Sequence, residues 1–427
     1  MSSTRSAHHV SAIAALSLVL VALIASRTGA EPLRTTATRI TSNRFLEVPA
    51  KFKPPTEYTV SDRVPIVHFA RYPLPDTPTY KWSHWGPGTV LPNGRVLTSL
   101  GDHRAIDGNS YLYEYDPKTR VLQLVADLQS AVEGFKEGDF GFGKIHDRLN
   151  VGRDGNVYFS SFWGLRSGLD DKFKGERLFR YDPKTQGLKD LGIPAKDWGC
   201  PSSNFAPQHN LYYAEAAFRP DYDNQTHGMR FVVFDVVKQK VRFMGGHDST
   251  GYGRDLFVDA KGNAYFNNGK RTLVKYDPTT NQLTDLGAVM PVSRLRRTAG
   301  PDDAGLLYAT SSDTNAAGHR VLFSFDPRTL KTRTIVRLWS DTPAMAIHPD
   351  GRFIYMVPGN IAYPGRPLIR ADLQDGSIEV VAFLQQAIQA KQKFTLGGTY
   401  SLCVGESTAY IVFGVNNDLA LLAVEIP

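Results

Sequence analysis

Two short sequence anchors alternate along 427 residues in which 11% are aromatic and 37 glycines and 26 prolines punctuate short apolar runs. They predict an all-β fold: one seven-bladed β-propeller of four-stranded antiparallel blades, its ring closed by an N-terminal strand. The first anchor is a turn followed by a β-rich run. It stands out in Pro92-Asn93-Gly94-Arg95-Val96, Asp154-Gly155-Asn156-Val157-Tyr158-Phe159 and Asp259-Ala260-Lys261-Gly262-Asn263-Ala264-Tyr265-Phe266. It returns more degenerately at Asn210-Leu211-Tyr212, Gly305-Leu306-Leu307-Tyr308, Asp350-Gly351-Arg352-Phe353-Ile354-Tyr355 and Ser407-Thr408-Ala409-Tyr410, which makes seven. The second anchor is an alternating strand that ends in an aromatic residue and a turn, as in Leu112-Tyr113-Glu114-Tyr115-Asp116-Pro117. It recurs at Tyr181-Asp182-Pro183, Phe234-Asp235, Tyr276-Asp277-Pro278, Phe325-Asp326-Pro327 and Ala371-Asp372. Aspartate caps a turn through nearby backbone N–H groups and proline presets φ, so each of these pairs stops one strand and starts a hairpin.

Between the two anchors there is room for a strand, a loop and a second strand, and one more β run follows, such as Val121-Leu122-Gln123-Leu124-Val125. Each unit is then a four-stranded meander of about 40 to 65 residues, a propeller blade. The last unit differs, because its strands at Ala409 to Phe413 and Leu419 to Ile426 run straight to Pro427. An uncovered edge there would be a liability, so a segment between Arg39 and Tyr72 is expected to supply the missing strand.

The chain start reads as an export signal: Arg5, an apolar run from Val10 to Ala25, and the small residues Thr28-Gly29-Ala30. The run of about sixteen residues falls short of the ~20 that comfortably span a bilayer. The expectation is therefore a cleaved signal over residues 1–30, a propeller over 31–427, no membrane span after cleavage, and a periplasmic or secreted location. Cys200 and Cys403 are the two cysteines, and their spacing leaves pairing and burial as separate thiols both open. Cys200, His209, His227 and His247 are too widely spread to form a metal motif. The sequence requires no cofactor, and a structural divalent metal stays open.

The formal charge of +7 favours an anionic partner, while the lack of a basic helix or recognised module argues against nucleic acid. A monomer is expected. In a propeller, the beginnings of the innermost strands and the loops between second and third strands open on one face. The strand beginnings bring Ser83-His84-Trp85-Gly86, Lys144, His146, Asp147, Arg148, Arg254, Asp255, Arg294, Arg296, Arg297, Thr399 and Tyr400 to that mouth. The loops add His103, Arg104, Trp163, Arg166, Arg219, Tyr222, His319, Tyr363 and Arg366. Bases and aromatics outnumber carboxylates in this set. Arginine offers a planar fork for carboxylates, and aromatic faces suit sugar rings, so an acidic carbohydrate fits the mouth. Each residue also has a plain structural role to set against this. Trp85 and Trp163 read first as packing between blades, and a single histidine is often a hydrogen-bonded structural group.

Seven blades, an export signal and His and Arg at channel positions together resemble the seven-bladed propeller polysaccharide lyases, such as ulvan lyases and rhamnose-glucuronate lyases. The resemblance covers nearly the whole chain after the signal. It implies a uronate held by paired histidines of an early blade with a tyrosine and an arginine. His84, His103 and Arg254 are the implied catalytic residues, and no tyrosine is matched. Lys144, His146, Arg166, Arg296, Tyr400 and Trp163 are the expected substrate-binding residues. The implied reaction is β-elimination by an exported lyase on a uronic-acid-containing polysaccharide or oligosaccharide: a neutral histidine removes the proton beside the carboxylate while an arginine stabilises the charge that spreads into it. Two other readings remain. A metal-dependent propeller lactonase or hydrolase needs channel carboxylates, for which Asp147 and Asp255 are the candidates. A non-enzymatic binding module for an acidic glycan would use the same basic and aromatic face.

Overall fold

The computed structural model describes residues 33–165, 172–218, 229–245, 254–268, 270, 272–338, 340–359, 363–414 and 418–427. The segment expected as a signal, Arg166, Arg219, Tyr222, His227 and His247 therefore lie outside the described residues. The compact unit spans Arg34–Pro427. Its strands form seven antiparallel-built sheets, a seven-bladed β-propeller. Blades two to five have four strands each, as the repeats predict, whereas blades one, six and seven carry a fifth outer strand from the N-terminal segment. Arg34–Thr36 pairs with the outer strand of blade one, and Thr59–Val60 runs parallel to that of blade six.

Ring closure follows the expectation. Ile66–Arg71 lies antiparallel to Ala420–Glu425 of blade seven, with Phe69 opposite Leu422 and Val67 opposite Val424, and Thr38–Thr41 covers it in turn. A variant shortened to begin after Arg71 would leave Ala420–Glu425 as an open edge, ready to pair with another chain. It is expected to elute from a sizing column as higher oligomers than the full chain. Elution identical to that of the full chain would show that the ring does not need this strand.

The core lies between blades, because each sheet is covered on both faces and successive side chains point to opposite ones. Tyr212 and Tyr213 show the consequence. Tyr212 joins the cluster shared with blade two, while Tyr213 turns to blade four and donates to the carbonyl of Gly262 at 2.7 Å. The aspartates of the second anchor do what turn chemistry demands. Asp116, Asp182, Asp235, Asp277, Asp326 and Asp372 each accept a hydrogen bond from the backbone N–H two residues on, at 2.8–3.1 Å. Cys200 and Cys403 are separate buried thiols. Burial pushes the Cys403 thiol up to about 12. Among the described residues, no helix is long and apolar enough to cross a membrane.

The inner strands enclose a central cavity of about 500 Å³, lined by residues such as Val90, Asn150, Phe205, Val258, Met345 and Val404. Arg148 and Thr298 also line it, at the end facing the predicted mouth.

Candidate active site

At the inner end of the mouth, an ionic node ties several blades together. Asp255, 1% exposed, accepts from Arg148 Nε at 3.2 Å, from Arg148 Nη2, from Arg297 Nη1 at 3.4 Å and from the backbone of Thr298 at 3.0 Å. Arg148 reaches on to the Thr298 carbonyl at 2.6 Å, and Arg297 donates to the carbonyls of Pro343 at 2.8 Å and Tyr400 at 3.4 Å. Burial, with Arg148 and Arg296 nearby, lowers the Arg297 guanidinium to about 9 against the opposing pull of Asp255. Higher in the mouth, Arg296 Nε meets Asp341 at 2.8 Å and 2.9 Å. Among the described residues, Arg148 and Arg297 thus meet the carboxylate of Asp255 and Arg296 meets that of Asp341, with Arg254 beside His146 and Lys144 beside Trp85.

Trp85 is the centre of the aromatic arrangement. Its ring stacks on Tyr400 at 5.3 Å and on His146 at 5.9 Å, lies 5.6 Å from His103, and has the Lys144 ammonium 4.9 Å from its centroid. Arg296 sits 5.3 Å from the centre of the Tyr400 ring. Gly86, next in sequence, has no side chain for a reason: a Cβ there would lie 2.2 Å from the carbonyl oxygen of Asp147. Close approach of these two segments brings Trp85 of blade one beside His146 of blade two.

The three histidines occupy different environments. His146 is partly exposed, and its Nδ1 lies 2.7 Å from the Pro201 carbonyl. A carbonyl only accepts, so Nδ1 carries the proton and Nε2 presents its lone pair, with Arg254 Nη1 donating toward it at 3.4 Å. Burial, then Arg254 and Lys144, hold the ring well below the usual histidine value, which keeps it neutral. His103 is buried between Tyr80 and Trp85, with Nδ1 3.2 Å from Ser83 Oγ, which also accepts from Trp85 Nε1 at 2.9 Å. Burial, with Lys144 and Lys81 adding to it, lowers His103 to about 3. His84 is 2% exposed, and its Nε2 accepts from the Tyr400 backbone at 3.4 Å while the ring also bonds backbone at Gly86 and Val412. Burial takes it to about 3.

The structure therefore gathers His103, Lys144, His146, Arg254, Arg296 and Tyr400 around Trp85, and sets His84 behind them as a strut between blades one and seven. Trp163, also expected at the ligand, is buried in a cluster with Phe162, Phe173, Ala217 and Met229. Aromatic bulk at an inter-blade position accounts for it. Two contributors were not read from the sequence: the Pro201 carbonyl of blade three and Asp341 of blade six. Their only sequence signal is position: Pro201 sits at the irregularity between Gly199 and Ser202 in the inner strand of blade three, and Asp341 stands just before the inner strand Ala344–Ile347 of blade six. Tyr363 packs against Phe52, and Arg366 is buried with Nε 3.3 Å from the Leu396 carbonyl.

The two carboxylates considered for a metal are otherwise employed. Asp255 serves the ionic node, and Asp147 turns between blades two and three, where Oδ2 accepts from Ser160 N of blade two at 3.0 Å and from Ser203 Oγ at 2.9 Å and the Tyr212 hydroxyl of blade three. Among the described residues, no group of three or more His, Cys, Asp or Glu is arranged to hold a metal ion. Burial raises Asp147 to about 7, opposed by its hydrogen bonds. An unfolded aspartate titrates near 3.9, so the folded state binds the extra proton between these values, and this group's contribution to stability falls as pH rises through that window. Asp147→Asn mimics the protonated carboxyl. It is expected to flatten the loss of melting temperature from about pH 4 to about pH 7, and an unchanged slope would mean that the carboxyl ionises normally.

No protein-family model matches this sequence, and no curated protein does. Solved structures do. An oligogalacturonate lyase in complex with manganese superposes with a TM-score of 0.55 at 13% identity, covering 93% of this chain and 98% of its own. The likeness is one of fold. Kuenenia stuttgartiensis hydrazine synthase aligns with a TM-score of 0.49 at 11% identity, covering 79% of this chain and 94% of its own. The propeller architecture is thus shared with a lyase, while the residues of the mouth must be judged by their own chemistry.

Proposed function

We propose that this protein is an exported lyase that cleaves a uronate-containing polysaccharide or oligosaccharide by β-elimination. The observation that carries the reading is His146: a neutral ring whose protonated Nδ1 is fixed on a carbonyl and whose Nε2 lone pair faces Arg254. Arg254 is placed to meet the substrate carboxylate, with the Arg296–Asp341 pair beside it, and the partly exposed rims of Trp85 and Tyr400 offer apolar contact to a sugar ring. His146 Nε2 removes the proton from the carbon that bears the carboxylate. The C–H electron pair becomes the new carbon–carbon double bond, the bond to the glycosidic oxygen breaks, and that oxygen takes a proton from the Tyr400 hydroxyl. Charge spreading into the carboxylate is stabilised by the arginines, an electrostatic contribution of about 3–4 kcal/mol per well-placed donor. When a substrate carboxylate draws Arg254 away, the His146 lone pair is released to act.

His146 replaces His84 and His103 as the proposed base: backbone engages the His84 ring, which is shut off from solvent, and the buried His103 has its Nδ1 on Ser83 Oγ. His103 contributes from the far side of Trp85. The oligogalacturonate in the structural neighbour's name makes galacturonate the first uronate to test. The neighbour's manganese finds no matching donor group among the described residues, so no step is assigned to a metal. The experiment is incubation with a panel of uronate polymers while the ultraviolet absorbance of unsaturated product is followed. Absorbance growing with one polymer supports the lyase reading. Binding without absorbance would overturn it in favour of a glycan-binding module.

A further inference from the structure

The ring contacts do not stop at the reacting centre. From His146 they pass to Trp85, from Trp85 to His103, and from His103 to Tyr80, whose ring centroid lies 6.4 Å away at a tilt of 33°. Tyr80 differs from the others in being 60% exposed. Its backbone is nevertheless held, because the Asp102 carbonyl accepts from Thr79 Oγ1 at 3.0 Å, from Tyr80 N at 3.1 Å and from Lys81 N at 3.3 Å. Asp102 is itself buried, its carboxylate bonded to Arg104 N at 2.9 Å and Asn109 N at 3.0 Å. The Lys81 ammonium lies 5.9 Å from the Tyr80 centroid. Beside the same loop, a cavity of about 380 Å³ is bordered by Thr77, Pro78 and Arg104, which leaves room for a chain to continue.

An aromatic side chain has few torsions to lose and stands here on a held backbone, so a ring settling on it orders little, and an adjacent ammonium favours an acidic ring over a neutral one. We infer that Tyr80 and Lys81 form a subsite for a sugar beyond the reacting pair, so that the preferred substrate is an acidic oligosaccharide of at least three rings. This rests on the uronate reading of the mouth. In that arrangement the reacting uronate lies at Arg254 and His146, its neighbour passes the partly exposed rim of Trp85 over the buried His103, and the next ring stacks on Tyr80 with its carboxylate toward Lys81.

The test compares digalacturonate with trigalacturonate, measuring both affinity by calorimetry and turnover by absorbance. The wild type is expected to bind the trimer more tightly than the dimer. Tyr80→Ala should lower that trimer-to-dimer affinity ratio on the order of tenfold, the usual scale for losing one well-placed aromatic contact, while Tyr80→Phe retains it. Lys81→Ala should lower the ratio less, and increasingly so at low salt. A Tyr80→Ala ratio equal to that of the wild type would overturn the subsite while the lyase reading stands. Trimer binding that depends on Tyr80 without any turnover would uphold the subsite and overturn the lyase. Failure of the wild type to bind either oligomer overturns both.

Discussion

His146→Gln is expected to slow formation of unsaturated uronate by about 10²- to 10⁴-fold, the range that a positioned general base contributes. Glutamine can still donate to the Pro201 carbonyl, so the variant should melt near the wild-type temperature, and the loss would then report on chemistry. The pH profile supplies a second reading. His146 sits well below its usual value because of burial, then Arg254 and Lys144. It is therefore neutral and competent across the neutral range, and the acid limb of kcat/KM should lie well below pH 6.5. Removing the neighbouring cation in Arg254→Gln raises the His146 pKa, so the acid limb should move to higher pH even as the rate falls for want of the carboxylate partner. Wild-type rates in His146→Gln would end the assignment. An acid limb that stays in place in Arg254→Gln would show that another group sets it.

The largest effect on stability is expected from Asp255→Asn. This carboxylate, almost fully buried, is shared by Arg148 and Arg297 from blades two and five. Asparagine keeps the volume and loses the charge, which leaves two guanidinium groups facing each other in a poorly solvated site. Breaking a buried ion pair in this way costs about 3–5 kcal/mol, and Arg148 and Arg297 repel one another once the anion between them is gone. The melting temperature should drop by several degrees. An unaltered melting temperature would mean that the node is incidental to ring stability.

These two experiments probe features that differ in how openly the sequence displayed them. The blades were legible because their signals are local. An aspartate two residues before the N–H that it caps, or alternating aromatics such as Leu112-Tyr113-Glu114-Tyr115, act over a few residues of chain, and seven repetitions leave little freedom of architecture. The closing strand was legible by default, since blade seven lacked an outer strand and the N-terminal stretch was available. Its decoration of blades one and six was not, because two- and three-residue outer strands carry no pattern of their own.

The mouth was legible as a composition and not as an arrangement. Reading the starts of inner strands, together with the loops of the same face, brought His84, His103, Lys144, His146, Arg254, Arg296 and Tyr400 into one neighbourhood. That neighbourhood does not say which ring faces solvent. His84 and His146 stand at comparable places in adjacent blades, yet one is bonded to backbone at Gly86, Tyr400 and Val412 while the other leaves a lone pair in the mouth.

By itself, then, the sequence determined the number of blades, the chemistry of their turns and the source of the closing strand. Each of these follows from short-range backbone preference or from a count. Only the tertiary structure decided that Pro201 orients His146, that Asp255 neutralises two arginines, that Asp341 answers Arg296 and that Trp163 belongs to the core. Those pairings join residues of different blades, and hydrogen-bond direction and desolvation depend on distances of a few ångströms that no spacing along the chain records.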